Sequence, residues 1–561
     1  MIRILLLTSL FFIFSCSSKP IQIPTSRKAP APHSTRAQPA QINKVLETVV
    51  ADPGLTAPPQ AETSKAPFAA SQAPQELTDY LIALKTPNIP KKNAADIIDN
   101  HLTKSQLENA AADVQLQTYR PQILWRLANL AQKENKTDQA VEYYQSLATQ
   151  FPQHFLAAQS QQLAALLQAS ETTDAKVIGA ILPLTGKNAN VGQHALNALR
   201  MGLGLNKTES RYRLAVYDTQ SLPESAGLGV DKLVRDDKVI ALIGGLSSKE
   251  ATGIAQRAEF LNLPFIALSQ KSGLTNIGEF IFRNSLTPEM QVDQLVQYAY
   301  DKLGARRFAV LYPNDSYGVE FSNIYWDHVL ARNAQVVAAQ TYDPKENDFT
   351  NVIKKLVGTY YPEARPDEYR DRMKELRLAK KDRAEKNKNK KNSREHETEE
   401  NVLSPIVDFD VLFLPDSGKS LGQVMAFMKV NDVPKLTYLG TNIWNTPDIV
   451  KRTGTQADGI FFVDAVDLND TRMRETDFFK EYVAQYNEEP TLIEMQAFES
   501  AKIIRDVTSS GATTRDSVAS RLRSLGRSPG ITGELRMSNL RELERPVHVL
   551  SLDKGIIKKI E

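Results

Sequence analysis

The sequence predicts an α/β body made of two doubly wound parallel sheets, arranged as two lobes with a cleft between them. A small all-α domain precedes it. Three observations carry this expectation. From Thr172 onward, short β-branched runs alternate with amphipathic helices. The runs are apolar throughout, as in parallel strands covered by helices on both faces. The strand–helix pattern runs through once and then restarts near Asp293, which gives two sheets in series.

The chain begins MIRILLLTSLFFIFSC, with Arg3 as its positive start and Ile4 to Phe14 as a short apolar run. These are the n-region and h-region of an export signal. The run is too short to span a bilayer. Cys16 is the one cysteine in 561 residues. Ile13-Phe14-Ser15-Cys16 resembles the lipobox of bacterial lipoproteins, which implies cleavage after residue 15 and a lipid anchor on Cys16. The plain alternative is a secretory signal that happens to contain a cysteine. A lipid chain anchors through its buried methylenes, at about 0.8 kcal/mol each. Ser17-Ser18 follow the cysteine, and in the enterobacterial pattern a non-acidic residue there directs sorting to the outer membrane, facing the periplasm. Anchoring at the inner membrane stays open. Residues 16–75 are rich in Pro, Ala, Ser, Thr and Gln and almost free of aromatics, so they read as an extended tether.

Residues 76–171 are expected to be helical. Leu124, Leu127, Ala128, Ala131, Ala140, Tyr144, Leu147 and Pro152 fall where a tetratricopeptide repeat places its packing residues. Small Ala128 and Ala140 allow two antiparallel helices to approach, and Lys136-Thr137-Asp138 forms the turn between them. Such a unit is either a protein-interaction surface or a bundle that only packs on the next domain.

The main domain then reads in order. Lys176–Leu184, Arg213–Asp218, Val239–Gly244 and Pro264–Ser269 are strands of the first sheet. Val191–Leu205, Ala226–Asp237 and Lys249–Asn262 are helices between them. The second set has strands Arg307–Tyr312, Gln335–Thr341, Val411–Leu414 and Leu436–Leu439, with helices Asp293–Leu303, Gly318–Asn333 and Leu421–Val430. Between Tyr361 and Asn401 lies a segment in which both charge signs alternate, with a basic knot at Lys386–Lys391 and an acidic end at Glu395–Glu400. This charged insertion (362–401) holds too few apolar residues for a core face. It reads as a solvated excursion, or as a docking arm for a partner or an anionic envelope polymer.

VIGAILPLTGKNANVGQHALNALRMGL, VIALIGGLSSKEATGIAQ, FAVLYPNDSYGVEFSNIYWDHV and LTYLGTNIW resemble the type I periplasmic-binding-protein fold of the leucine/isoleucine/valine-binding proteins. The resemblance covers residues 176–561, within a domain placed at 172–561. It implies a chain that crosses between lobes three times, with lobe 1 at about 176–302 and 470–529 and lobe 2 at about 303–469 and 530–561. It also implies a solute-binding role in amino-acid transport. Strand ends at Pro183-Leu184-Thr185-Gly186 and Gly244-Gly245-Leu246-Ser247-Ser248 each run into a helix, where free N–H groups favour an anion. The resemblance places Thr185, Ser247, Ser248, Ser269 and Ser272 near a ligand carboxylate and Tyr317 over the ligand from the second lobe. The simpler account of the serines is helix capping, and that of Tyr317 is packing between the lobes.

The sequence departs from amino-acid binders at one place. The strand end that should carry an acid for the ligand ammonium reads Gly440-Thr441-Asn442-Ile443-Trp444. A buried ammonium with no partner is costly; Asn442 can hydrogen-bond but carries no charge, and Asp416, in LPDSGKS at another strand end, is the substitute. Anchor, tether, helical domain and binding-protein body together, with VDFDVLFLPDSGKSLGQV and YLGTNIWNTPDIV, resemble penicillin-binding-protein activator lipoproteins. That resemblance implies a non-enzymatic regulator of peptidoglycan synthesis that contacts a synthase. The other expectation is the solute receptor of an ABC importer. His33, His101, His154, His194, His328, His396 and His548 are scattered, and phosphate-loop, G-x-S-x-G and dinucleotide motifs are absent. No catalytic residue, metal site or cofactor is therefore expected. With a formal charge of +2, nucleic acid is not an expected partner either.

Overall fold

The computed structural model describes Tyr80 and residues 94–560, except 208–209, 388–401, 455–458 and 554. The signal sequence, Cys16, the tether and the acidic end of the charged insertion lie outside the described residues. Among the described residues, no helix is long and apolar enough to cross a membrane.

The helical region includes Arg120–Lys133, Thr137–Gln150 and Ala157–Ser170. Leu127, Ala128, Ala131, Ala140, Tyr144 and Leu147 are all buried, because a small residue on one helix meets a large one on its neighbour. Trp125 stands edge-on to Tyr144 at 5.3 Å, and the Tyr144 hydroxyl donates to Asn129. These helices also share one apolar core with the first sheet: Ala131, Tyr144, Leu163 and Leu167 pack with Val177, Val230, Leu233 and Ala258.

The first lobe is a five-stranded parallel sheet in the order β2-β1-β3-β4-β5, with β1 Asp174–Leu182, β2 Arg213–Asp218, β3 Val239–Gly244, β4 Phe265–Ala267 and β5 Ile281–Arg283. β3 is buried along its whole length, which explains its unbroken VIALIG. Helices Ala189–Gly202 and Leu492–Ser509 cover one face and join that core. Helices Ala226–Asp237 and Ser248–Phe260 cover the other.

The second lobe is a seven-stranded sheet in the order β15-β14-β10-β9-β8-β6-β7. Its strands are β6 Arg307–Pro313, β7 Gln335–Tyr342, β8 Val411–Phe413, β9 Thr437–Gly440, β10 Ile460–Asp464, β14 His548–Asp553 and β15 Ile556–Lys559. β14 pairs antiparallel with β10 and β15 antiparallel with β14, so the C-terminal hairpin closes this sheet. A small sheet of β11 Ser528–Pro529, β12 Glu534–Met537 and β13 Leu543–Glu544 lies between them in sequence.

The crossings between lobes differ from those the sequence predicts. Helix Pro288–Asp301 packs Val292, Leu295, Val296 and Ala299 against Phe308 and Val310 of the second sheet, so the first crossing falls at 284–287 and not at 302. Leu535, Met537 and Leu543 join the core of the first sheet, so the last crossing falls at 545–547 and not at 530. The other crossing is at 465–470. An amphipathic segment shows that it has an apolar side; it does not show which of two cores takes that side.

Candidate functional site

Both lobes carry the same strand order. In each, the second strand in sequence lies outside the first, and the third lies on the first strand's other side. Ligands of open α/β sheets bind beyond the carboxyl ends of strands where this order reverses. In the first lobe that point lies between β1 and β3, at Thr185 and Ser247. In the second it lies between β6 and β8, at Tyr317 and Asp416. The backbone at the first point is tight. Gly244 has φ +143°, and a Cβ there would sit 2.1 Å from the Ile181 carbonyl oxygen, so only glycine fits.

Most of the first-lobe hydroxyls are committed within their own lobe. Thr185 is exposed, and its hydroxyl and N–H both bond to Asp218, at 2.7 and 3.1 Å. Burial pushes the Asp218 carboxyl up, but the bonds from Thr185, Gln220 and Leu184 outweigh it and hold the group below the usual carboxylate range. Ser247 caps helix Ser248–Phe260 in a full capping box with Glu250, the arrangement that needs no ligand. Glu250 is buried and also accepts from Thr219 at 2.7 Å. Ser248 is exposed on the first turn, where its carbonyl accepts from Thr252. Ser269 is buried and accepts from the Lys271 N–H.

Ser272 differs. Its N–H donates to Glu320 Oε1 at 3.1 Å, a direct bond between the lobes, and its own Oγ is buried with no hydrogen-bond partner. The loop that carries it is held by Arg283, a fully buried residue whose guanidinium donates to the carbonyls of Gln270 and Lys271 and pairs with Glu542 at 2.5 Å.

On the second lobe, helix Ser316–Ala331 begins at an Asp315 cap that accepts from Gly318 at 2.8 Å. Tyr317 and Glu320 are three residues apart on its first turns and so share a face. The Tyr317 hydroxyl meets Thr441 Oγ1 at 2.9 Å, and its ring lies on Phe321. Burial, with Asp416 and Asp315 nearby, raises the Tyr317 phenol well above its ordinary value, so it stays neutral and can donate. Asn442 donates its N–H to Gln291 at 3.0 Å, while its Oδ1 is buried with no partner.

Asp416 and Trp444 sit behind this surface. Asp416 Oδ2 accepts from the Tyr342 hydroxyl at 2.5 Å, and its carbonyl accepts the Trp444 indole N–H at 2.5 Å. Trp444 is 0 % exposed in the second-lobe core, where its ring lies against Gly440. It is a packing residue, not a cleft wall. The structure thus gathers Ser272, Tyr317 and Asn442, adds Glu320 and Gln291, and leaves Thr185, Ser247 and Ser248 as local ties and caps. Glu320 was legible in the sequence as the acid one helical turn beyond Tyr317.

Comparison with known proteins follows this geometry. Residues 177–368 match the family model described as periplasmic binding protein. No curated protein matches the chain. A putative branched-chain amino acid ABC transporter from Rhodospirillum rubrum is similar in structure, with TM-score 0.52 and 18 % identity, over 68 % of this chain and 99 % of that one. An ABC transporter substrate-binding protein from Sphaerobacter thermophilus has TM-score 0.52 and 16 % identity, over 68 % of this chain and 96 % of that one. The leucine binding protein LivK of Thermotoga maritima has TM-score 0.48 and 17 % identity, over 69 % and 97 %. Residues 177–368 are thus similar to the periplasmic binding protein family, and the body of the chain has the type I periplasmic-binding-protein fold.

Proposed function

We propose that this protein is a non-catalytic solute-binding lipoprotein, anchored through Cys16, whose interlobe cleft takes an amino acid or a related small molecule. The observation that carries the reading is the junction of Ser272, Glu320, Tyr317 and Asn442 at the facing ends of the two sheets, with Ser272 Oγ and Asn442 Oδ1 buried and unpaired. Unpaired buried polar atoms cost free energy that a ligand can recover. Glu320 supplies the negative charge that the strand end at Gly440 lacks, so a ligand ammonium has a partner. The hydroxyls of Ser272 and Tyr317 are donors for its carboxylate. The structural relative from Rhodospirillum rubrum, a putative branched-chain amino acid ABC transporter, agrees with this class.

A ligand that binds only the folded state at a hundred times its Kd stabilises it by about 2.7 kcal/mol. A thermal-shift screen of the twenty amino acids and a set of aromatic acids is expected to give at least one stabilising solute. A flat screen counts against the reading.

A second reading is a regulator that contacts a penicillin-binding protein at the outer membrane. One observation favours it. The matched solute-binding proteins are covered over almost their whole length by about two thirds of this chain, so the helical region is an addition to the binding fold. Under this reading, the purified full chain raises the glycan-polymerising rate of a peptidoglycan synthase. An unchanged rate leaves the solute-binding reading alone.

A further inference from the structure

The seam between the helical region and the first lobe forms a solvent-open cavity of about 590 Å³, lined by none of the interlobe residues. That is within the volume range of small-molecule sites, about 300–1,000 Å³. Its wall is built from the turn after helix Arg120–Lys133, the end of helix Ala157–Ser170, the loop at Leu261-Asn262 and the start of helix Arg515–Arg523.

Two of its lining side chains are buried with unmet demands. Arg515 is 6 % exposed, and its guanidinium donates to backbone carbonyls: Nε and Nη2 to Val239, Nη1 to Leu261. Burial alone pulls its guanidinium down to about 10, with no carboxylate close enough to offset the loss of water. A buried cation without a counter-charge is costly. Gln132 is also 6 % exposed. Its amide nitrogen donates to the Phe260 carbonyl, while its Oε1 is buried with no partner. The rim carries the opposite demand. Asp138 and Glu171 lie together at the rim, and partial desolvation with the Asp138 carboxylate nearby raises the Glu171 carboxyl. Arg515 therefore lacks a counter-charge, while the start of its helix is already served by the Thr514 cap and carries Asp516 in its first turn. Gln132 Oε1 lacks a donor, and the lining lysine, Lys136, is paired with Glu134.

We propose that this seam cavity is a second binding site, for a small zwitterion such as a free amino acid or dipeptide, its carboxylate on Arg515 and its ammonium between Gln132 and the Asp138–Glu171 pair. Such a ligand bridges the helical region and the first lobe, so its binding stiffens the seam.

The test is isothermal titration of the full chain carrying Ser272→Ala and Glu320→Gln, which weakens the interlobe site. The probes are L-alanine, L-lysine, L-glutamate and L-alanyl-L-alanine, with inorganic phosphate as an anion without an ammonium. At least one zwitterion is expected to bind saturably. Adding Asp138→Asn with Glu171→Gln is expected to weaken it at least tenfold, and Arg515→Lys likewise. The two acids are exposed, so their variant keeps its thermal midpoint; it decides the matter if Arg515→Lys does not fold. Binding of no zwitterion, binding that ignores the acid variants, or phosphate binding as tight as the best zwitterion overturns the proposal. Loss of binding in the Ser272→Ala, Glu320→Gln background relative to the unmodified chain also overturns it, because the signal then belongs to the interlobe site.

Discussion

Two residues show how little a side chain's identity says about its role. Trp444 follows a strand end in sequence and reads as a cleft aromatic, yet it is wholly buried, held by its indole N–H on Asp416 and by close approach to Gly440. Trp444→Ala is expected to cost about 3–5 kcal/mol in denaturant unfolding, as large-to-small core changes do; a loss below 1 kcal/mol places the ring outside the core. Asp464 ends β10 and is buried, and burial pushes its carboxyl up to about 6 against hydrogen bonds from Asn445 and the Ala465 N–H. Below about pH 4 it is protonated in both folded and unfolded chains and contributes no penalty. As pH rises from about 4 to 6 the unfolded chain releases the proton first, so stability falls, by about 3 kcal/mol for a shift of about two units. Above pH 6 the penalty is constant. Asp464→Asn is expected to lose this slope, which parallel urea titrations between pH 4 and 7 measure; an unchanged slope assigns the titration elsewhere. The motif NDSYG made Tyr317 legible, and its partner Thr441 was not, because a contact over 124 residues has no local signature.

Among the elements, the charged insertion is the clearest excursion from the lobe. Helix Pro366–Asn387 is mostly charged, and its base is tied by hydrogen bonds. Ile406 N–H donates to Val357, and Arg365 donates to the carbonyls of Gly358 and Ser404, so the two ends of the excursion already meet. Replacing residues 366–400 by a short Gly/Ser linker is expected to move the thermal midpoint by no more than about 2 °C, as for other changes away from the core. A fall of about 10 °C means that the helix is part of the lobe. Strands β1, β3, β4, β6, β8 and β9 were legible because their apolar runs are buried on both faces, and the edge strands β2 and β7 because short β-branched runs stand between turn signals. β5 was not: its three residues, IFR, end in the buried Arg283, so they lack the all-apolar run that made the equally short β8 legible. The seam cavity was illegible for a different reason. Gln132 and Arg515 lie 383 positions apart, and only the shared core of the helices and first sheet brings them to one wall.

For the whole molecule, the central feature is two lobes joined by crossings at 284–287, 465–470 and 545–547. Two of these crossings are tied to the first lobe. Asn284 donates to the Gln496 carbonyl and Ser500, and Arg545 pairs with Glu499 at 3.0 Å and donates to Asn284. Both members of the pair are almost wholly buried. Arg545→Ala is expected to destabilise the protein by about 3–5 kcal/mol, because Glu499 is left as an unpaired buried charge. Arg545→Met with Glu499→Gln, which removes both charges and keeps the acceptor for Ile531, is expected to recover at least half of that in the same unfolding assay; no recovery means that the loss is one of shape. With the crossings held this way, relative motion of the lobes falls on the residues beyond Asn284 and Arg545. The Ser272–Glu320 bond is then the contact that a cleft ligand must reinforce or replace. The most direct measurement is the affinity of the full chain for the best solute of the screen, compared with that of Glu320→Gln. A saturable, one-to-one cleft interaction weakened at least tenfold by that substitution is the predicted result. The contradicting result is an affinity that neither Glu320→Gln nor Ser272→Ala changes.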